Sequence, residues 1–122
     1  MPHKVLIVDD AMFMRAMIRD ILANSGRYEV VGEAANGQES IDLFQKLRPD
    51  LVTMDIVMPQ MDGIEATREI LKAEARARIV MCSALGQEAL VIESIAAGAK
   101  DFIVKPFSAE KVLKVLDAVM AG

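Results

Sequence analysis

The sequence predicts an α/β fold, a five-stranded parallel doubly wound sheet of the flavodoxin-like type with helices on both faces. Short apolar runs and longer segments of helical periodicity alternate five times along the 122 residues. The apolar runs show little polar–apolar alternation, which is typical of strands that are buried on both faces. Right-handed crossovers favour the strand order 2-1-3-4-5, with a switch point between strands 1 and 3.

The predicted elements follow one another without a linker or a low-complexity segment. The expected strands cover residues 4–8, 29–34, 51–54, 78–82 and 101–104. The expected helices cover residues 12–25, 38–47, 64–73 and 88–97, with a last helix after the capping residue Ser108. Asn36-Gly37 predicts a turn, and Gly26 and Gly98 suit helix ends. We expect the three methionines of the first helix to pack in the core; they are Met12, Met14 and Met17.

The composition excludes several classes of protein. Hydrophobic residues make up 53% of the chain, too many for a disordered protein, and a net charge of −4 without a basic block argues against nucleic-acid binding. No apolar run approaches the roughly 20 residues of a membrane span, and no signal peptide is recognisable. The single cysteine, Cys82, is expected to be a buried free thiol. We therefore expect one cytoplasmic domain over residues 1–122.

Polar and charged residues stand at the ends of four predicted strands. Asp9 and Asp10 follow the first strand, Asp55 the third, Ser83 the fourth and Lys105 the fifth. Taken alone, Asp55 is better explained as a cap of the next helix or turn. Because the carboxyl ends of parallel strands meet at one edge of a sheet, the residues together predict a common site there.

The residue types at this edge favour phosphoryl transfer. Clustered carboxylates repel one another, and a hard cation such as Mg²⁺ relieves the repulsion through oxygen ligands. The chain has no second Cys or His for a zinc site, and it has no nucleotide-binding glycine motif. A carboxylate can itself accept a phosphoryl group while a lysine and a metal neutralise the oxygens. Asp55, after the central strand, is the best candidate for the acceptor.

These strand ends resemble the receiver domain of two-component response regulators. The matching motifs are Asp9-Asp10, Asp55, Ser83-Ala84 and Lys105-Pro106, and the resemblance covers the whole chain. It implies that Asp55 is the phosphoacceptor for a histidine kinase. It also implies a Mg²⁺ site whose ligands are Asp9, Asp10, Asp55 and the backbone carbonyl of Val57.

The resemblance implies roles for several further residues. Ser83 and Lys105 would contact the phosphoryl oxygens, and the Lys105–Pro106 peptide would be cis. Phe102 stands at the position of the switch aromatic, so the output would be read on the fourth helix, fifth strand and fifth helix. Val57 and Leu85 stand where a hydrolytic water would be held; both are apolar, which implies a long-lived phosphorylated form.

Longer stretches resemble the stand-alone chemotaxis regulators of this family, in the form found in thermophilic and Gram-positive bacteria. They cover residues 8–15, 82–87 and 98–107. The resemblance implies a monomer that binds the flagellar motor switch protein when phosphorylated, with a histidine kinase and a dedicated phosphatase as further partners. No nucleic acid or membrane partner is expected. Enteric regulators commonly have Tyr and Thr where this chain has Phe102 and Ser83.

Two other functions remain open from the sequence. The chain could serve as a phosphorelay receiver or be a receiver cut from a larger regulator. It could also be an aspartyl-phosphate hydrolase of the haloacid dehalogenase type, although that family has a second Asp two residues after the nucleophile, where this chain has Val57. We expect no enzyme activity beyond catalysis of its own phosphorylation and dephosphorylation.

Overall fold

The computed structural model describes residues 1–122. The five strands are β1 (His3–Val8), β2 (Tyr28–Ala34), β3 (Leu51–Asp55), β4 (Ile79–Ser83) and β5 (Asp101–Val104). The five helices are α1 (Met12–Ser25), α2 (Gly37–Leu47), α3 (Gly63–Ala73), α4 (Glu88–Ala96) and α5 (Ala109–Ala121). None of these helices is both long enough and apolar enough to pass through a bilayer.

The strands form one parallel sheet in the order β2-β1-β3-β4-β5, which confirms the predicted fold class and topology. Strand β1 pairs with β3 so that Val8 lies beside Met54, and β3 pairs with β4 so that Asp55 lies beside Cys82. The predicted edge strand, β2, does lie at an edge. The register brings the carboxyl ends of β1, β3 and β4 to the same level.

Helices cover both faces of the sheet, and each face has its own core. On one face, α1 contributes Ile18 and Leu22 and α5 contributes Val112 and Leu116. On the other face, α2, α3 and α4 pack over a second cluster that includes Phe44. Burial of both faces explains why the central strands are apolar throughout. Cys82 is buried in the first of these cores as a free thiol, as predicted.

Most helices begin at a side-chain cap, which satisfies one of the free N–H groups of the first turn. Asn36, Asp62 and Ser108 each accept a hydrogen bond from the backbone N–H three residues later. The turn predicted at Asn36-Gly37 is therefore the start of α2. Helices α1 and α4 differ, because their N-cap residues, Ala11 and Gln87, make no side-chain capping hydrogen bond.

The predicted core packing of the α1 methionines is wrong. Met12 is 74% exposed, and Met14 and Met17 are only half-buried. Phe13, the next apolar residue of the first turn, is 69% exposed. Only the later turns of α1 pack on the sheet, because the helix begins at the sheet's edge and its first turn extends beyond the strands.

Candidate functional site

The structure brings the polar strand-end residues together at the carboxyl edge of the sheet. Asp55 is the last residue of β3 and Ser83 the last of β4, while Asp9 follows β1 and Lys105 follows β5 directly. Because Val8 pairs with Met54, the next residues, Asp9 and Asp55, are neighbours across the switch point between β1 and β3. Parallel pairing thus assembles the site from four separate parts of the chain.

Three carboxylates and one ammonium group form the centre of this site. One carboxylate oxygen from each of Asp9, Asp10 and Asp55 lies within 4.8 Å of the others, with Asp9 and Asp55 buried and Asp10 exposed. The Lys105 Nζ donates to Asp55 Oδ1 at 3.2 Å and lies 3.4 Å from Asp9 Oδ2. Three acids therefore share a single cation, which leaves the cluster electrostatically unsatisfied.

The pKa values in the cluster reflect this imbalance. Burial raises the pKa of Asp55 to about 6, and the charge of Asp9 adds to the rise, although Lys105 opposes it. Burial would lower the pKa of Lys105, but the attraction of Asp55 and Asp9 outweighs it and the pKa is raised. Burial, together with the negative charge of Asp55, also raises the pKa of the Cys82 thiol, so this group stays protonated.

Two buried oxygens of the site have no hydrogen-bond partner. They are Asp9 Oδ2 and Ser83 Oγ. The other carboxylate oxygen of Asp9, Oδ1, accepts a hydrogen bond from the Ala11 N–H at 2.9 Å. An unpartnered buried oxygen costs free energy unless a ligand satisfies it. The oxygen-only donor set and the excess negative charge fit a hard divalent cation such as Mg²⁺.

Gly63 lets the chain pass close behind Asp55. A Cβ at this position would lie 2.0 Å from the Asp55 backbone carbonyl oxygen, and the Gly63 N–H donates to the Ile56 carbonyl at 2.7 Å. Any other residue would push the end of β3 away from the start of α3. A close backbone approach leaves no pattern in a single sequence, so this role of Gly63 was not predictable.

Apolar residues follow the ends of β3 and β4. Val57, after β3, is 52% exposed, and Leu85, after β4, is 80% exposed. A cavity of about 320 Å³ opens next to Ser83 and is lined mainly by apolar side chains of α4 and β5, among them Phe102, which is 38% exposed. The Lys105–Pro106 peptide bond at the end of β5 is cis. Phe102 and Ser83 therefore line the same cavity.

One contact of the site was missed from the sequence. The Arg15 guanidinium donates from Nη1 to the backbone carbonyl of Asp9 at 2.6 Å, and from Nε to Glu33 Oε1 at 3.3 Å. The only available signal was an arginine one turn into the first helix. That signal does not distinguish a buried contact from a solvated charge.

Comparison with known proteins identifies the family. The family described as the response regulator receiver domain matches residues 5–117. The chain belongs to this family. It is 57% identical over 120 residues to the chemotaxis protein CheY of Bacillus subtilis, covering 98% of this chain and 99% of that protein. It is 56% identical over 119 residues to CheY of Thermotoga maritima, covering 98% of each. These relatives confirm the predicted resemblance to chemotaxis regulators of two-component systems.

Solved structures of receivers share the fold. The CheX–CheY–BeF₃–Mg²⁺ complex from Borrelia burgdorferi matches with a TM-score of 0.92 at 39% identity, covering 98% of this chain and 90% of that chain. The response regulator domain of Thermotoga maritima CheB matches with a TM-score of 0.87 at 37% identity, covering 99% and 96%. The matching family is a signalling family and not a catalytic enzyme family.

Proposed function

We propose that residues 1–122 form one receiver domain that acts as a phosphorylation-dependent switch in chemotaxis. In this proposal Asp55 accepts a phosphoryl group from a histidine kinase in the presence of Mg²⁺. The phosphorylated domain then binds the flagellar motor switch protein and controls rotation. The domain catalyses its own phosphorylation and dephosphorylation and no other reaction.

The observation that supports this proposal is the composition of the acidic cluster. Asp55 lies at the end of the central strand, next to Asp9 and within hydrogen-bond distance of the Lys105 ammonium. A structural ion pair would match charges, whereas this cluster keeps three acids around one cation. Such an excess of negative charge is expected where a cation and a phosphoryl group complete the site.

The residues that would hold Mg²⁺ are Asp9, Asp10, Asp55 and the Val57 carbonyl. The carboxylate of Asp10 is exposed, and Asp9 Oδ2 has no hydrogen bond, although the Lys105 Nζ lies 3.4 Å from it. When bound, the ion neutralises the phosphoryl oxygens and so reduces their repulsion from the carboxylates. Lys105 adds a second positive charge next to Asp55 and Asp9.

The chemical step is a displacement at phosphorus. A carboxylate oxygen of Asp55 forms the new bond to phosphorus, the bond from phosphorus to the kinase imidazole breaks, and the imidazole leaves with the electron pair. In this proposal Ser83 and Lys105 donate hydrogen bonds to the phosphoryl oxygens, and the lack of a hydrogen-bond partner for the Ser83 hydroxyl supports that role. A raised pKa of about 6 leaves Asp55 mostly ionised near neutral pH, as a nucleophile requires.

Intact mass measured after incubation with acetyl phosphate tests the chemistry. We expect the wild-type chain to gain one phosphoryl group with Mg²⁺ and none in the presence of a chelator. Asp55→Asn should gain none, and the matched control Asp62→Asn, at the exposed cap of α3, should behave as wild type. Stoichiometric labelling of Asp55→Asn, or labelling without a divalent ion, would contradict the assignment.

The readout is proposed to use the cavity between Ser83 and Phe102. When Ser83 turns toward the phosphoryl group, the half-exposed Phe102 ring can move into the vacated space, and the surface of α4, β5 and α5 changes. Phe102 has no hydroxyl, so its burial breaks no hydrogen bond. The switch shifts only as far as the phosphoryl group favours one arrangement over the other.

Binding of a motor-switch peptide to Ser83→Ala tests this coupling. The variant should still be phosphorylated, but phosphorylation should no longer increase its affinity for the partner. Ser94→Ala, which removes a buried hydroxyl from α4 without touching the site, is the control. Equal gains in affinity for wild type and Ser83→Ala would show that the hydroxyl does not couple the two regions.

We further propose a monomer in the cytoplasm with a dedicated phosphatase, and without nucleic acid or membrane partners. The related CheY from Borrelia burgdorferi is in complex with CheX, together with BeF₃ and Mg²⁺, so a similar chain binds another protein in the presence of these groups. A net charge of −4 agrees with the absence of nucleic acid.

A second candidate is a receiver that works within a larger regulator or a phosphorelay. The chain is 47% identical over 109 residues to a protein-glutamate methylesterase of Photobacterium profundum but covers only 27% of it. The genes next to the coding sequence would distinguish the two candidates. The hydrolase alternative requires a second acid two residues after the nucleophile, where this chain has Val57. An assay of small phosphoesters should therefore show no turnover.

A further inference from the structure

We propose that Arg15 is a positioning residue for the metal site. It holds the backbone of Asp9 so that one carboxylate oxygen, Oδ2, is fixed in place for Mg²⁺. This inference rests on the proposed function, since it concerns the same site. It adds a residue on α1 that does not itself touch the ion or the phosphoryl group.

The contact between Arg15 and Asp9 is short and shielded. The Arg15 Nη1 donates to the Asp9 backbone carbonyl at 2.6 Å, and only 15% of the Arg15 side chain is exposed. A hydrogen bond from a charged donor in a shielded place is stronger than a neutral one. The guanidinium therefore constrains the main chain at the residue that carries the buried ligand.

Glu33 on β2 holds the guanidinium in this orientation. Arg15 Nε donates to Glu33 Oε1 at 3.3 Å, while the second oxygen, Oε2, accepts from Arg19 Nη1 at 2.8 Å. One carboxylate thus ties two turns of α1 to the edge strand. The Arg15 guanidinium on α1 therefore contacts both β2, through Glu33, and the end of β1, through Asp9.

Asp9 has a hydrogen bond at every polar atom except one. Its N–H donates to the Ala34 carbonyl at 3.1 Å, its carbonyl accepts from Arg15, and its Oδ1 accepts from the Ala11 N–H at 2.9 Å. Its Oδ2 is buried and has no hydrogen bond, although the Lys105 Nζ lies 3.4 Å away. Such a pattern fixes the direction of one ligand atom before an ion arrives.

The loop needs this restraint because α1 has no side-chain cap. Ala11, the N-cap residue, cannot accept a hydrogen bond from the first turn with its side chain. Two hydrogen bonds therefore restrain residues 9–11: one from the Ala11 N–H to the Asp9 carboxylate, and one from Arg15 to the Asp9 carbonyl. Loss of Arg15 should leave the two aspartates of the loop less well oriented.

Titration calorimetry of Mg²⁺ against Arg15→Ala tests the inference, and the sign of the change is informative. A positioning role predicts a dissociation constant about tenfold weaker, as is typical when a partner that orients a ligand is lost. A purely electrostatic role predicts the opposite, since removal of a cation near an acidic site should tighten Mg²⁺ binding. At saturating Mg²⁺, the rate of phosphorylation by acetyl phosphate should return close to wild type.

Two variants serve as controls. Arg15→Lys keeps the charge and one donor, so it should recover part of the affinity. Arg19→Ala breaks the other ion pair of Glu33 without touching Asp9, and its Mg²⁺ affinity should equal that of wild type. Glu33→Gln keeps the fold of β2 but weakens the hold on Arg15, and it should give an intermediate loss even where Arg15→Ala does not fold.

Unchanged or tighter Mg²⁺ binding in Arg15→Ala would overturn the inference. So would a loss in Arg19→Ala as large as in Arg15→Ala, or, where Arg15→Ala does not fold, wild-type affinity in Glu33→Gln. A wild-type chain that binds no Mg²⁺ would instead overturn the proposed function, together with this inference. The two failures are therefore distinguishable from the first titration.

Discussion

Two aspartates at opposite ends of the molecule show how differently one residue type can be placed. Asp117, near the end of α5, accepts hydrogen bonds from the Tyr28 hydroxyl at 2.6 Å and from Arg27 at 2.9 Å. Its pKa is lowered by the Tyr28 hydrogen bond. Asp55 is buried beside Asp9 and has Lys105 as its partner, and its pKa is raised to about 6.

The difference separates a structural charge from a functional one. Asp117 is fully used within the chain, because it ties the start of β2 to α5 with two donors. Asp55 is buried beside the carboxylate of Asp9, and its raised pKa shows that its charge opposes folding. Sites that await a ligand commonly have this property, and the stability lost there must be supplied elsewhere.

The largest expected effect concerns the lifetime of phosphorylated Asp55, which depends on the residues next to the acids. Val57 and Leu85 are exposed beside the site, and neither can orient a water by hydrogen bonding. The double variant Val57→Asn with Leu85→Glu should shorten the lifetime by up to about 100-fold, a size typical of positioned polar groups. Decay of phosphorylated Asp55 after removal of the donor, in Mg²⁺, measures it.

A double variant with alanines, Val57→Ala with Leu85→Ala, is the matched control for that experiment. It removes apolar bulk without adding a polar group, so its decay should remain close to wild type if orientation of water limits the reaction. A wild-type decay as fast as that of the polar double variant would show that the apolar surroundings do not set the lifetime.

A smaller effect concerns stability at the site. Removal of the Asp55 charge by Asp55→Asn should raise the free energy of unfolding at pH 7 in a chelator, by on the order of 1–2 kcal/mol. The raised pKa sets the sign of the pH dependence. The folded chain binds the proton more tightly than the unfolded one, so wild-type stability should fall as pH rises from about 4 to 6.

Urea unfolding followed by circular dichroism at several pH values measures both effects. In Asp55→Asn, the decrease in stability between about pH 4 and 6 should be absent or much reduced. Asp20→Asn, which removes an exposed charge on α1, is the control and should leave the profile unchanged. A variant less stable than wild type at pH 7 would mean that the ion pair with Lys105 outweighs the cost of burial.

The sequence was informative about the site because parallel strands align their own ends. Once five strands are recognised, Asp9, Asp55 and Lys105 must meet at one edge, and the structure places them there. Side-chain direction was less predictable. The exposure of Met12 and the contact of Arg15 with a backbone carbonyl depend on where α1 starts relative to the sheet, and periodicity alone does not reveal that position.

The smallest expected effect concerns Asp117, whose substitution should change the free energy of unfolding in the opposite direction to that of Asp55. Asp117→Asn should lower the free energy of unfolding at pH 7, by about 0.5–1 kcal/mol, because a half-exposed pair is partly screened by solvent. The lowered pKa means that this contribution is present above the unfolded pKa and is lost as pH falls through the folded value. The difference between wild type and variant should therefore disappear in acid.

The partner variant Tyr28→Phe distinguishes the two donors of Asp117. It removes the 2.6 Å hydrogen bond but keeps the Arg27 ion pair. Added salt should weaken the ion pair and leave the hydroxyl hydrogen bond almost unchanged. If Tyr28 dominates, as the order of causes of the pKa shift indicates, Tyr28→Phe should lose most of the stability that Asp117→Asn loses, and added salt should change little. A gain in stability for Asp117→Asn at pH 7 would remove the contrast with Asp55, because both carboxylates would then oppose folding.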